Sequence, residues 1–172
     1  TQATACGEAI TPHTQPSEDV TLAFTRAGRV LKVLVKPGDV VKAGQLLVQL
    51  DDAAERARLE QLKVQAEDTT RIRAAEAQLA QRKVDLAKLE WAFKRGAATD
   101  MEVERARLDV RIAELSLELA QVQHKQDRLQ YEQAKIELER MRLLSPISGR
   151  VEQVVVEPGE SADALQNVIR VV

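Results

Sequence analysis

The sequence predicts an α+β protein in which an antiparallel coiled-coil α-helical hairpin interrupts a small β domain. Three observations carry this. Asp51 to Leu144 is almost free of Gly and Pro and rich in Ala, Leu, Glu, Gln, Arg and Lys. Such residues lose little rotamer freedom in a helix and do not compete for its backbone. One break interrupts the stretch, at Arg95-Gly96-Ala97-Ala98-Thr99-Asp100. Short β-branched segments before the stretch recur after it at a constant offset of about 121 residues.

The break is a turn with a mechanism. Gly96 can take the left-handed conformation that ends a helix. Thr99 or Asp100 can cap the next helix, with Glu102 in its first turn where the dipole favours an anion. Two helices of roughly 42 residues result, each about 63 Å long. In the second, Leu108, Ile112, Leu115, Leu119, Val122, Gln126, Leu129, Gln133, Ile136, Arg140 and Leu143 fall at alternating steps of four and three, a heptad seam for a partner helix. The first answers with Leu59, Leu62 and Ala66, then Ile72, Ala75, Leu79, Leu86, Leu89 and Phe93. These two sets are out of phase around Thr69, which predicts a stutter in the supercoil. A short turn makes the helices antiparallel neighbours. Gln126 and Gln133 either fix register within the seam or lie at its edge.

Ahead of the hairpin, residues 1–18 are polar, with one short strand expected at Ala5–Ile10. Residues 19–50 read as the first half of the β domain. Val20, Leu22 and Phe24 alternate with polar residues, and Val30 to Val35 is a β-branched run. Lys36-Pro37-Gly38-Asp39 is a turn in which Pro37 presets φ and Gly38 accepts a positive φ. Val40-Val41 and Leu46–Leu50 are further strands, and Asp51 is placed to cap the hairpin. The hairpin is expected over 51–144, because Pro146 disfavours helix at Ser145. In 145–172 the pattern returns: Gly149-Arg150-Val151 matches Gly28-Arg29-Val30, and Pro158-Gly159-Glu160 matches Pro37-Gly38-Asp39. Each half is too small to bury its own core, so the halves must pack on each other.

Composition narrows the function. Charged residues are 30% and aromatics 2%, which suits a long two-helix element beside a small domain. Net charge is −2 and no basic stripe carries interleaved aromatics, so nucleic acid is not an expected partner. No apolar run approaches the roughly 18 residues of a membrane span. No signal-peptide pattern opens the sequence; an exported protein would have lost that segment. Cys6 is alone, so no internal disulfide is expected. Ala5-Cys6-Gly7 lacks the Leu and hydrophobic segment that precede a lipoprotein cysteine. His13 and His124 have no clustered ligands, so no metal site is expected; His124 lies off the seam and is expected to be solvated. Opposite charges recur at helical spacing, as in Glu55 to Arg58 and Glu137 to Arg140, and read as a solvated face. No catalytic constellation is present, and the protein is not expected to be an enzyme.

The segment from Gly28-Arg29-Val30 through Pro37-Gly38-Asp39 to Gly44-Gln45-Leu46-Leu47 resembles the lipoyl (biotinyl-like) half-motif of periplasmic adaptor proteins, the HlyD-like membrane fusion proteins. Leu144 to Glu160 resembles that family's return segment. The resemblance implies a lipoyl-like β-sandwich split by the hairpin. It also implies an adaptor between an inner-membrane transporter and a TolC-like outer-membrane channel in efflux or type I secretion. Such adaptors are periplasmic, associated with the inner membrane of Gram-negative cells, and assemble into rings, often hexamers. On this reading residues 5–10 are a remnant barrel strand, and the sequence is a piece of a longer protein. Carrier lipoyl domains bear a modified Lys where Asp51-Asp52 lead into the hairpin here, so no cofactor is expected. A cofactor-carrier domain and a cytosolic coiled-coil scaffold are the alternatives.

The resemblance places the duct contact at the hairpin tip: Lys88, Trp91, Ala92, Arg95, Gly96, Ala97, Ala98 and Thr99. Drug-efflux members carry Arg, Leu and Ser at positions that align with Lys88, Ala92 and Thr99. Only the hydroxyl is kept, and Lys lacks the planar fork of Arg. Solvation of Lys88, close helix approach at Ala92 and an N-cap at Thr99 are the plain structural roles. Phe93 fits the seam. Trp91 lies off it, either as a contact anchor for a neighbouring subunit or the duct, or as cover for the seam's flank.

Overall fold

The computed structural model describes residues 19–172; Cys6 and the strand expected at Ala5–Ile10 lie outside them. Two units are present. Among the described residues, one holds 19–51 together with Arg140–Val172, and the other is Asp52–Glu139.

In the first unit, β1 (Val20–Ala23), β2 (Gly28–Val33), β3 (Val40–Val41) and β4 (Leu46–Leu50) come from the first half. The strands β5 (Arg142–Leu144), β6 (Gly149–Val154), β7 (Ser161–Ala162) and β8 (Asn167–Val171) come from the second. They form two four-stranded antiparallel sheets, ordered β1-β8-β6-β3 and β5-β4-β2-β7. Replacing every strand by its repeat counterpart converts one order into the other. Each sheet therefore takes two strands from each half. The core is equally paired: Val30 with Val151, Leu47 with Val168, Val48 with Ile169 and Leu50 with Val171, all buried.

The turns lock the halves together. Gly38 N–H donates to Val151 O at 2.8 Å and Val151 N–H donates to Asp39 O at 2.9 Å. The repeat reproduces both, Gly159 N–H to Val30 O at 2.8 Å and Val30 N–H to Glu160 O at 2.8 Å. The symmetry is imperfect at one place. Gly44 (φ 82°) corresponds to Leu165 (φ 63°), an exposed side chain held in the left-handed region. That conformation costs an L-residue about 1–2 kcal/mol, partly offset by the greater unfolded freedom of Gly. Leu165→Gly is expected to stabilise the domain by about 0.5–1 kcal/mol in denaturant unfolding; a loss of stability would show that Leu165 is not strained.

The hairpin unit consists of α1 (Ala53–Glu67), α2 (Thr70–Lys94) and α3 (Asp100–Glu139), with α3 packed along both others. Three expectations are corrected here. The first long helix is two. Asp68 leaves helical geometry at ψ 110°, and its Oδ1 accepts the Thr70 N–H at 2.8 Å. The break restores the phase between Ala66 and Ile72 that a continuous helix would lose, in place of a stutter. The cap at the hairpin's start is Asp52 and not Asp51, and its carboxylate pairs with Arg56 at 2.9 Å without capping a backbone N–H. The last helix ends at Glu139 and not Leu144, because Arg142–Leu144 pairs with β4 and buries Leu143.

The fourth correction concerns the seam. Leu108, Ile112, Leu115, Leu119, Val122, Leu129 and Ile136 are exposed, as are Gln126 and Gln133. The buried or half-buried face of α3 is Val103, Ala106, Val110, Ala113, Leu117, Ala120, His124, Asp127, Tyr131, Ala134 and Leu138. It too steps by three and four, on the opposite side of the helix. Small side chains on that face let the helices approach closely. Helix-one residues Leu59, Leu62, Ala66, Ile72, Ala75, Leu79, Leu86 and Leu89 do lie on the buried or half-buried side. His124 is therefore an inner residue, and its Nδ1 is buried without a hydrogen-bond partner among the described residues. A buried unsatisfied polar atom costs about 1–3 kcal/mol. His124→Leu is expected to raise the hairpin's stability by about 1 kcal/mol or more, read by thermal unfolding; a lowered midpoint would mean that the imidazole is satisfied.

Candidate functional site

The tip begins where α2 ends. Ala97 N–H donates to Ala92 O and Gly96 N–H to Phe93 O, both at 2.9 Å. With Gly96 at φ 73°, this is the six-to-one and five-to-two pattern of a Schellman cap. Two residues later a capping box opens α3. Thr99 N–H and its hydroxyl donate to Glu102 Oε2 at 2.7 and 2.8 Å, and Glu102 N–H donates to Thr99 Oγ1 at 3.3 Å. The turn is thus fixed at both ends by backbone chemistry, and Ala97 and Ala98 add almost no side chain.

On α2, just before the turn, Val84, Ala87, Lys88, Trp91 and Ala92 line an open apolar groove of about 540 Å³. Trp91 is 58% exposed. The Arg95 guanidinium lies over its ring, 3.6 Å from the centroid, a cation–π arrangement that presents a flat surface with a positive rim. On the other flank, Arg107 binds Glu90 at 3.3 Å and Glu104 at 2.7 Å, and the two carboxylates push its pKa up. Phe93 sits there beside Lys94, Asp100 and Val103, 44% exposed and only partly in the seam.

The residues predicted for the tip thus fall into two groups. Lys88, Trp91, Ala92 and Arg95 share one surface. Gly96, Ala97, Ala98 and Thr99 build the turn, and the Thr99 hydroxyl is engaged in the cap. Val84 and Ala87 belong to the groove and were not singled out by sequence. Their signal was their spacing of seven and four from Trp91. Among the described residues no His, Cys, Asp and Glu are grouped to hold a metal ion, and no helix is long and apolar enough to cross a membrane.

A β-sandwich assembled from two chain halves, with a helical hairpin between them in sequence, defines the membrane fusion class of fold. Residues 18–172 match the family described as RND MFP, barrel-sandwich hybrid domain, and the chain belongs to that family of efflux and secretion systems. Among solved structures it is similar to MacA from Actinobacillus actinomycetemcomitans, at 23% identity and TM-score 0.69 over 90% of this chain and 50% of that one. It is also similar to the soluble domain of LipC, a membrane fusion protein of a type I secretion system, at 12% identity and TM-score 0.60 over 90% of this chain and 99% of that one. The chain therefore spans half the length of that MacA. No curated protein matches it.

The cap carries a pH prediction. Hydrogen bonds from the Thr99 backbone and then its hydroxyl hold the Glu102 carboxyl below its ordinary pKa. A depressed carboxylate pKa means that the associated stability is present above the ordinary value and is lost as pH falls through the depressed one. Thr99→Ala is expected to cost about 1 kcal/mol near neutrality and to move the Glu102 titration, followed by NMR, part of the way up toward the ordinary carboxylate range, because the hydroxyl is lost while the backbone N–H at position 99 still donates. An unchanged titration would remove the capping box from solution.

Proposed function

We propose that this chain is the hairpin-bearing part of a non-enzymatic periplasmic adaptor, associated with the inner membrane. It links an inner-membrane transporter to a TolC-like outer-membrane channel, and the hairpin tip docks the channel. Copies assemble as a closed ring. The observation that carries this reading is a 40-residue helix, about 60 Å long, whose partner ends in a turn capped on both sides. A stiff spacer with a rigid end suits reaching across a compartment and engaging a partner there. Trp91 and Arg95 supply an aromatic and guanidinium surface of the kind that anchors protein contacts. Lys88 and Ala92 replace the Arg and Leu of drug-efflux members, so the duct surface that fits this tip differs from theirs.

The experiment is photo-crosslinking in intact cells, with a photoreactive residue at Ala97 or Ala98 of the full-length protein. Capture of an outer-membrane channel is expected. Capture of only another copy of the protein would move the duct contact off the turn. The absence of any periplasmic or outer-membrane product would return the hairpin to a scaffold role.

A further inference from the structure

We propose that the hairpin is jointed at Asp68: the segment towards the tip swings about this level on the unbroken helix α3, while the base segment holds still. The joint belongs to the hairpin itself and stands or falls independently of what the tip meets.

The backbone makes the joint. Asp68 is extended, at φ −74° and ψ 110°. An extended residue rises about 3.3 Å, against 1.5 Å in a helix, so it spans the axis of two helical residues. The six steps from Ala66 to Ile72 thereby do the work of a heptad's seven, and the inner face stays in phase and level with α3. Continuity is lost in exchange. Asp68 N–H to Gln65 O at 3.3 Å closes α1, and Arg73 N–H to Thr69 O at 3.0 Å opens α2. Between them the Asp68 carboxylate takes the Thr70 N–H at 2.8 Å. A side-chain bond thus spans a place where a continuous helix has its backbone ladder. A phase correction alone needs no such gap, since one further residue in a continuous helix supplies it.

The seam is weak at the same level. Gln65, Asp68 and Arg71 line an open notch of about 270 Å³ together with Asp127 of α3, which fixes what faces the break. On the tip side the inner face of α3 is aliphatic from Val103 to Ala120, and on the base side Tyr131, Ala134 and Leu138 continue it. Between these stand His124, whose Nδ1 is unpartnered among the described residues, and Asp127, which accepts from Gln123 of its own helix at 3.1 Å. Cross-helix ion pairs clamp the tip side, Arg82 with Asp109, Lys83 with Glu114 and Arg107 with Glu90, and Arg58 with Glu137 clamps the base side. Among the described residues no ion pair bridges the helices between those levels. The missing ladder, the polar belt and the notch coincide, so bending here breaks no backbone bond of the α1–α2 arm and compresses no packed aliphatic layer.

The freedom is useful in size. Long helices curve with radii down to about 60 Å. Over about ten residues of α3, roughly 15 Å, that curvature deflects the axis by about 14°. The start of α3 at Asp100 lies roughly 40 Å from Asp127, so the tip moves by about 10 Å. Because α3 runs unbroken past the joint, reach is kept while direction varies.

Double electron–electron resonance on the purified full-length protein tests this. Nitroxides go on exposed positions either side of the joint, Ala57→Cys and Ala80→Cys. Other cysteines are replaced, Cys6→Ser among them, and labelled protein is diluted in unlabelled protein so that only distances within one copy are read. In one variant two alanines take the place of Asp68, which gives a continuous helix the same length and phase. In a second, His124→Leu with Asp127→Leu closes the seam and leaves the break. A 14° bend changes the label separation by about 4 Å, since the labels ride about 15 Å off the α3 axis. The native joint is therefore expected to give a distance distribution broader by about 4 Å than either variant. Narrowing by either variant supports the joint, and the second decides alone if circular dichroism shows that the first has lost its helix. A native distribution that no folded variant narrows overturns it.

Discussion

Neither half of the β domain can bury its own core, so the two are joined by strand pairing across the halves and by the hydrogen bonds that tie the Gly38-Asp39 turn to Val151 and the Gly159-Glu160 turn to Val30. The rest of the chain answers to that constraint. Both sheets need strands from both halves, so the chain must leave after β4 and return at β5. Leu50 N–H donates to Met141 O at 2.9 Å, and β4 pairs with β5 immediately beyond. Whatever is inserted must therefore begin and end at adjacent points. A helical hairpin meets that condition, since its two ends lie side by side. It also explains why helix α3 stops at Glu139. Arg142–Leu144 would extend the helix without difficulty, yet the sheet gains a strand and the core gains Met141 and Leu143.

That contest between local preference and tertiary need separates what was readable in the sequence from what was not. The β repeat was readable because its turns are local chemistry: Pro37-Gly38 and Pro158-Gly159 carry their own geometry. The tip was readable for the same reason, since Gly96 and the Thr99–Glu102 pair act within one turn. The break at Asp68 was visible only as a phase shift between Ala66 and Ile72. Neither Asp68 nor Thr69 forbids a helix strongly enough to mark it. The end of α3 was hidden because Ser145-Pro146 supplies a later, stronger stop signal. The identity of the seam failed for a different reason. Both faces of α3 obey the heptad, and periodicity does not rank them. Size favoured the Leu108 stripe, whereas the hairpin closes on Val103, Ala106, Val110 and Ala113 because smaller side chains admit a nearer neighbour.

A helix with two apolar faces cannot hide both in a two-helix hairpin. This makes the outer stripe a property of the surface and shifts attention from the turn to the edges. At the turn itself Gly96 and Thr99 are scaffold, and the Thr99 hydroxyl already donates and accepts within the cap. The side chains that project recognisable chemistry stand on α2 instead, with Trp91 under Arg95, Ala92 next to it in the chain and Lys88 one turn below.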